Sequence, residues 1–234
     1  VIEIEITPNR GDCLSVRGVA RDLAASGIGI LKKLNVLQVE GEFESLISWK
    51  IDLKENEKYL CPKIFGRSFK NLENKESPAW MKNRLLAVDQ RPISSLVDIT
   101  NYIMIDLGRP LHAYDIDKIE GSHLTIKKSK IGDKFHALNG KVYDLDNDML
   151  VISDKHGVDD LAGIMGGERT SVKETTINMF LEAAIFDPIS IAQTGRKLNI
   201  NSDARYRFER GLDYESPELV MNYAASIVEK ICGG

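Results

Sequence analysis

The chain has 234 residues, of which 43% are hydrophobic and 28% charged, and its formal net charge is −4. This length allows one large domain or two small ones with a real core. The negative net charge excludes a protein whose whole surface is basic and binds nucleic acid, so RNA binding would need a local basic patch. The three cysteines (Cys13, Cys61 and Cys232) are odd in number and far apart, which argues against a disulfide framework or a cysteine-based zinc site and fits a reducing cytosol.

Residues 1–30 predict a strand, a turn and a helix. Residues 1–6 alternate apolar and acidic side chains, the period of a half-buried strand. Residues 7–12 form a turn cluster, and apolar residues then recur at helical spacing from Ser15, a candidate N-cap, to Gly27. This piece is too short to bury its own apolar face, so we expect it to pack against a neighbour.

The remainder mixes helices and strands without strict alternation. Helix starts are predicted at Ser77–Pro78, at Ser94 or Ser95, at Asp187–Pro188 and at Ser216–Pro217. Strand patterns occupy residues 46–51, 59–69, 123–128, 134–137, 149–153 and 177–181, with a hairpin turn at Asn139–Gly140. This order predicts an α+β layered domain rather than a doubly wound fold.

His112 follows a predicted helix end at Gly108, where a histidine could be a general base, order a water or bind a substrate amine or carbonyl. The alternative is a partly buried histidine hydrogen-bonded to backbone. None of the four histidines has metal-ligand spacing to another histidine or lies near a cysteine, so we expect no metal site.

Residues 163–168 place three glycines among six residues. Glycine allows close approach of the backbone to a ligand and positive φ angles. The segment could be a phosphate cradle, although neither common glycine-rich nucleotide motif is present. It could also be a tight loop between strands, or a pocket wall kept small so that a planar side chain lies against it.

Glu182 interrupts an apolar run, where a carboxylate is costly unless it has a partner. It is either a strand-end residue that reaches water or a buried acceptor for one hydroxyl or cation. Further along, Arg205, Arg207 and Arg210 could position phosphates. Alternatively, they form an intramolecular ion-pair network with nearby acidic residues, which the local sequence favours.

Seven short motifs occur in order along the chain: TPNRGDCLS at 7–15, RP at 91–92, VDITNY at 97–102, PLHAYD at 110–115, GIMGGE at 163–168, LE at 181–182 and ARYRFERG at 204–211. In this order they resemble the beta subunit of bacterial phenylalanyl-tRNA synthetase over essentially the whole chain. The resemblance implies the editing module of that subunit, the paired B3 and B4 domains, which form a layered α+β fold with a β-sandwich and flanking helices. The residue pattern alone does not predict the sandwich.

The same resemblance divides the chain into three parts. Residues 1–38 correspond to half of a split domain (B1-like) that an oligonucleotide-binding-fold insertion interrupts in the full subunit. Residues 39–212 correspond to the B3/B4 editing domain, and residues 213–234 to a linker helix toward the next domain (B5).

The implied activity is hydrolysis of tyrosine wrongly attached to phenylalanine tRNA. An apolar pocket that accepts phenylalanine rejects one added hydroxyl poorly, roughly 100-fold in the general case. A second site that hydrogen-bonds this hydroxyl disfavours the molecule lacking it, because a buried polar group is left unpaired.

The resemblance assigns catalytic roles to Glu182, as acceptor of the tyrosine phenol proton, and to His112, which holds the amino-acid end or orders the attacking water. We expect water to attack the aminoacyl ester with help from the terminal ribose hydroxyl of the tRNA. Ser202 replaces the Thr of many relatives, and Tyr114 replaces Phe in what we expect to be a neutral exchange. The implied substrate-binding positions are Arg91, Thr100, Asn101, Pro110, Gly163, Gly166, Ser202 and Ala204.

The implied partners are tRNA(Phe), with Arg205, Arg207 and Arg210 as tRNA-binding candidates, and the alpha subunit, in a heterotetramer of two alpha and two beta chains. We expect no cofactor in this fragment, with ATP and Mg²⁺ used by the whole enzyme. No signal peptide or membrane-span-length apolar run is visible, so we expect a cytoplasmic protein without membrane contact. The chain does not begin with Met, so we expect it to be part of a longer protein. The alternative function is a non-catalytic module that binds tRNA or the partner subunit.

Overall fold

The computed structural model describes residues 2–234. Its helices are α1 (Val16–Ala25), α2 (Ala79–Leu86), α3 (Ser95–Leu107), α4 (Pro188–Lys197), α5 (Asp203–Phe208) and α6 (Ser216–Cys232). Its strands are β1 (Ser48–Asp52), β2 (Lys63–Phe69), β3 (His112–Asp115), β4 (His123–Lys128), β5 (Lys134–His136), β6 (Val142–Asp144), β7 (Leu150–Ser153), β8 (Val158–Leu161), β9 (Met165–Gly166) and β10 (Met179–Ile185). Within residues 2–234, no helix combines the length and apolar character needed to cross a bilayer.

The N-terminal prediction is confirmed for the helix and wrong for the strand. The Ser15 hydroxyl accepts a hydrogen bond from the Gly18 N–H and begins α1. Residues 2–6 form no strand, and Val1 lies outside the described residues. An alternating pattern becomes a strand only where a partner satisfies its backbone groups, and no described strand pairs with residues 2–6. Helix α1 leaves Val16 and Leu23 exposed.

Two sheets carry the fold. Five strands lie in the order β1-β4-β7-β8-β9, with β1 parallel to β4 and the other pairs antiparallel. Three antiparallel strands lie in the order β2-β10-β3. The hairpin of β5 and β6 closes at the predicted turn, where Gly140 has a φ of 75°.

Strand β10 explains how the layers stack. Side chains alternate across a strand, and all seven residues of β10 are buried. Phe180 and Ala184 belong to a hydrophobic cluster shared with the five-stranded sheet. Leu181 and Ala183 face a second cluster formed with α3 and α6. The three-stranded sheet therefore lies between the larger sheet and the helices, which confirms the predicted α+β sandwich with flanking helices.

Arg109 joins this central strand to α6. It is only 1% exposed. Its guanidinium donates to the Ala184 carbonyl at 2.7 Å, to the Asp213 carbonyl at 2.7 Å and to the Ser216 hydroxyl. Burial lowers the pKa of Arg109 to about 10, which still leaves it charged at neutral pH.

Arg109→Ala is expected to lower the free energy of unfolding by about 3 kcal/mol, because buried carbonyl oxygens lose their donors. Urea denaturation measures this loss. Arg196→Ala is the control, since Arg196 is exposed and bonds only within its own helix, and its effect should stay within about 0.5 kcal/mol. Equal effects of the two substitutions would contradict the structural role of Arg109.

Candidate active site

Strand pairing places His112 and Glu182 side by side. They are directly opposite each other in the antiparallel register of β3 and β10. Because Phe180, Glu182 and Ala184 share one face of β10, Glu182 lies in the space between the two sheets. It is 6% exposed, whereas the His112 side chain keeps 24% of its surface exposed.

The five-stranded sheet supplies the other side of the site. Asp160 of β8 pairs with Gly166 of β9, and its carboxylate accepts a hydrogen bond from the Gly167 N–H at 3.1 Å. A residue larger than glycine would not fit at position 166. A Cβ there would lie 2.2 Å from His112 Cε1 and 3.1 Å from Asp160 Oδ1, so the imidazole rests against bare backbone.

Tyr114 bridges the two carboxyl groups. Its hydroxyl hydrogen-bonds Asp160 Oδ2 and lies 3.2 Å from Glu182 Oε2. The Phe-to-Tyr exchange expected to be neutral is therefore not neutral structurally. The His112 ring meets the Tyr114 ring edge-on, with centroids 4.4 Å apart. His112 Nε2 lies 3.3 Å from Asp160 Oδ1, but the two are not aligned for a hydrogen bond, and this nitrogen has no partner among residues 2–234.

Burial is the main cause of the raised pKa values of Glu182, Asp160 and Tyr114. Burial, followed by repulsion from Asp160, raises the pKa of Glu182 to about 8. Burial also raises the pKa values of Asp160 and of Tyr114. Two carboxyl groups this close cannot both ionise easily, so the pair holds a proton near neutral pH.

A cleft of about 70 Å³ opens beside these residues. It is smaller than the roughly 300–1,000 Å³ of usual ligand pockets, so a ring can enter only if lining side chains such as Met165 move. Ser202 lies just behind it, where its hydroxyl donates to the Ile164 carbonyl at 2.6 Å and begins α5. Six predicted site residues line the cleft, namely Pro110, His112, Gly163, Gly166, Glu182 and Ala204.

Besides Ser202, three predicted binding residues do not line this cleft. Arg91 is exposed in the loop between α2 and α3. Thr100 and Asn101 are half-buried in α3, where the Thr100 hydroxyl donates to the Val97 carbonyl. The loop that carries Arg91 does approach α5, since the neighbouring Gln90 amide donates to Asp203 at 3.2 Å.

The three candidate tRNA-binding arginines are engaged within the chain. Arg205 is buried and pairs with Glu209 at 3.0 Å. Arg207 is buried and pairs with Asp203 at 3.2 Å. Arg210 also pairs with Glu209 and stacks on a tyrosine ring. The geometry matches the ion-pair network left open by the sequence, so a phosphate would have to displace these bonds, and tRNA binding by these arginines stays a prediction.

Sequence reasoning missed Asp160 and the role of Tyr114. Asp159 and Asp160 form an acidic pair at the start of an apolar run, which is the same kind of signal that singled out Glu182. Asp159 pairs with Arg169 at 2.6 Å, which Asp154 also contacts, whereas Asp160 has no arginine or lysine partner among residues 2–234 and faces the cleft. Asp160, which has no such partner, therefore belongs to the candidate site.

One group of possible metal ligands lies elsewhere. Ligand atoms of Asp12, Cys13 and Asp22 lie within 4.8 Å of one another. Arg10 bonds both carboxylates and Arg21 bonds Asp12. These two guanidinium groups already supply the positive charge that a cation would bring.

Comparisons with known proteins place these observations in a family context. A model of the B3/4 domain family matches residues 60–233. The whole chain is 50% identical to the phenylalanine–tRNA ligase beta subunit of Bartonella henselae, 48% to that of Paramagnetospirillum magneticum and 49% to that of Rhodospirillum rubrum. It covers 29% of each of these relatives.

Among solved structures, an N-terminal fragment of the phenylalanyl-tRNA synthetase beta-subunit from Pyrococcus horikoshii is similar, with a TM-score of 0.43 and 19% identity. The match covers 80% of this chain and 58% of that one.

Proposed function

This chain belongs to the B3/4 domain family, and from that premise we propose that it is the editing domain of a phenylalanine–tRNA ligase beta subunit, which hydrolyses tyrosine wrongly attached to tRNA(Phe). The observation that carries the proposal is the placement of His112 opposite Glu182 beside a wall of bare backbone at Gly166. These residues come from three distant parts of the sequence, and the fold gathers them at one cleft.

The cleft offers two different surfaces to a tyrosyl group. Gly163, Gly166 and Ala204 line the cleft with little side-chain bulk, and the His112 ring covers the backbone of Gly166. Glu182 provides a buried polar group for the ring hydroxyl. Phenylalanine would leave that group without the extra hydrogen bond, so the cleft favours the tyrosyl ester.

His112 is the residue best placed to act on the ester. Its side chain is partly exposed, and its Nε2 is buried without a hydrogen-bond partner within residues 2–234. In the proposed reaction a water oxygen, ordered by His112, attacks the ester carbonyl carbon. The bond to the ribose oxygen breaks, and this oxygen takes the proton that the water gives up.

The remaining expectations belong to the same proposal. The partners are tRNA(Phe) and the alpha subunit, in an assembly of two alpha and two beta chains in the cytoplasm. ATP and Mg²⁺ serve the whole enzyme. The domain boundaries fall near residues 38 and 212, and α6, which leads toward the next domain, packs firmly on α3 and β10.

The second candidate function is a non-catalytic module that binds tRNA or the partner subunit. The small cleft volume and the occupation of Glu182 by Tyr114 favour it. The two functions differ in whether the intact protein releases tyrosine from tyrosyl-tRNA(Phe).

His112→Ala in the full-length protein, with its alpha subunit, is expected to slow deacylation of tyrosyl-tRNA(Phe) by about 100-fold, because the attacking water loses the group that positions it. His136→Ala is the control, because that side chain is exposed on β5. Deacylation of His112→Ala at the wild-type rate would remove His112 from the mechanism. No deacylation by the wild-type protein would favour the binding module.

A further inference from the structure

We propose that Asp160 and Tyr114 are positioning residues that present Glu182 to the cleft as a neutral carboxylic acid, while Asp160 keeps the negative charge. The specificity role drawn from this rests on the proposed editing function. The protonation pattern itself rests only on the buried geometry of the three groups.

A single proton decides the direction of the hydrogen bonds. The Tyr114 hydroxyl lies within bonding distance of Asp160 and of Glu182, but it has only one hydrogen to donate. If it donates to Asp160, its oxygen can accept from Glu182 only when Glu182 is protonated. The resulting chain runs from Glu182 O–H to the Tyr114 oxygen, and from Tyr114 O–H to the Asp160 carboxylate.

Asp160 is the better site for the charge. It receives the Tyr114 hydroxyl and the Gly167 N–H, and the His112 ring lies beside it. Glu182 hydrogen-bonds only Tyr114 among the described side chains. A carboxylate is stabilised by the donors around it, so the proton resides on Glu182.

The other ionisable groups nearby do not change the assignment of the proton to Glu182 and of the negative charge to Asp160. Cys61 lies close to Glu182, and burial followed by the Glu182 charge raises the pKa of its thiol, which keeps it neutral. Asp159 is next to Asp160 and is paired with Arg169, and burial, followed by repulsion from Asp154 and Asp160, raises its pKa to about 7. No lysine or arginine among residues 2–234 forms an ion pair with Glu182 or Asp160.

A neutral Glu182 changes how the ring hydroxyl is recognised. The Oε1 atom has no hydrogen-bond partner among residues 2–234, and Glu182 lines the cleft. A neutral acid offers one donor and one acceptor function, so with Tyr114 taking the donated proton, the remaining oxygen accepts from the substrate hydroxyl. Recognition then needs no charge on Glu182, and ionisation of Glu182 would draw the Tyr114 proton away from Asp160.

Infrared difference spectroscopy on the full-length protein without substrate tests the protonation pattern. At pH 7 the wild type minus Glu182→Gln difference should show the carbonyl band of a protonated carboxyl group. Asp160→Asn should lower the titration midpoint of this band by at least about one pH unit, because a like charge is removed. Asp159→Asn, the matched control, should leave the midpoint unchanged.

Tyr114→Phe supplies a second variant in case Asp160→Asn fails to fold. The carboxyl band should persist but move to higher frequency, because Glu182 loses its acceptor. Absence of the band from wild type at pH 7, an unchanged midpoint in Asp160→Asn or an unchanged frequency in Tyr114→Phe would overturn the proposal.

Kinetics separate this proposal from the proposed function. Glu182→Gln keeps a neutral planar group, so its preference for tyrosyl over phenylalanyl ester should stay within about threefold of wild type. Glu182→Ala removes the whole group and with it the hydrogen bond to the ring hydroxyl. A Glu182→Gln preference as low as that of Glu182→Ala would overturn the neutral-acid role. Absence of tyrosyl deacylation by the wild type would instead overturn the editing function, and the spectra would still report on Glu182.

Discussion

Gly166→Ala is expected to slow tyrosyl-tRNA(Phe) deacylation by about 100-fold, since displacement of a catalytic group by about 1 Å can cost this much. The added Cβ would lie 2.2 Å from His112 Cε1, so the imidazole must move away from the cleft. Gly166 does not have a positive φ, so alanine causes no backbone strain. The effect therefore reports on the ring position, measured as single-turnover deacylation by the full-length protein.

Gly157→Ala is the matched control for this substitution. Gly157 also lacks a positive φ, and a Cβ there would meet no atom within 4 Å. It should deacylate at the wild-type rate. Equal rates for both alanine variants would show that the position of His112 against Gly166 does not matter for hydrolysis.

Glu182→Ala is expected to lower the preference for tyrosyl over phenylalanyl ester by about 10- to 100-fold, the worth of roughly 1.5–3 kcal/mol of hydrogen bonding. Hydrolysis itself should decline less, because His112 and the glycine wall remain. The measurement is the ratio of deacylation rates for the two esters.

Glu174→Ala is the control, because Glu174 is exposed outside the cleft. A uniform loss of both activities in Glu182→Ala, with the preference retained, would assign Glu182 to hydrolysis or to folding rather than to selection of the ring hydroxyl.

Local signals made most of the helices predictable from the sequence. Asp187 accepts a hydrogen bond from the Ser190 N–H at the start of α4, and Gly108 ends α3 in the left-handed conformation that glycine favours. These signals lie within a few residues of the element that they define. The boundaries of these helices therefore match the sequence prediction closely, whereas the short helix α5 was not predicted.

The strands were less predictable because their pairing is not local. Strand β3 has four residues and begins two residues after Pro110, too short a pattern to distinguish from a loop. Strand β10 extends four residues beyond the predicted end at residue 181. It is buried on both faces, and a continuous apolar run does not reveal strand ends by alternation.

The residues of the candidate site were likewise predictable only where a local motif marks them. His112, Gly166 and Glu182 could be predicted because each belongs to a motif that carries the family resemblance. Asp160 belongs to no such motif, and only the register of β8 with β9 brings it to the cleft. The contact of Tyr114 with two carboxyl groups depends on how the two sheets face each other, which the sequence does not state.

The position of the cleft between the two sheets has a consequence for folding. His112 and Glu182 come from the three-stranded sheet, whereas Asp160 and Gly166 come from the five-stranded one. Neither sheet alone can form the cleft, and contacts between chain segments far apart in sequence form slowly. A partly folded chain therefore lacks the candidate site until its two sheets dock, and the proposed hydrolysis is expected to recover after dilution from denaturant only when that docking is complete.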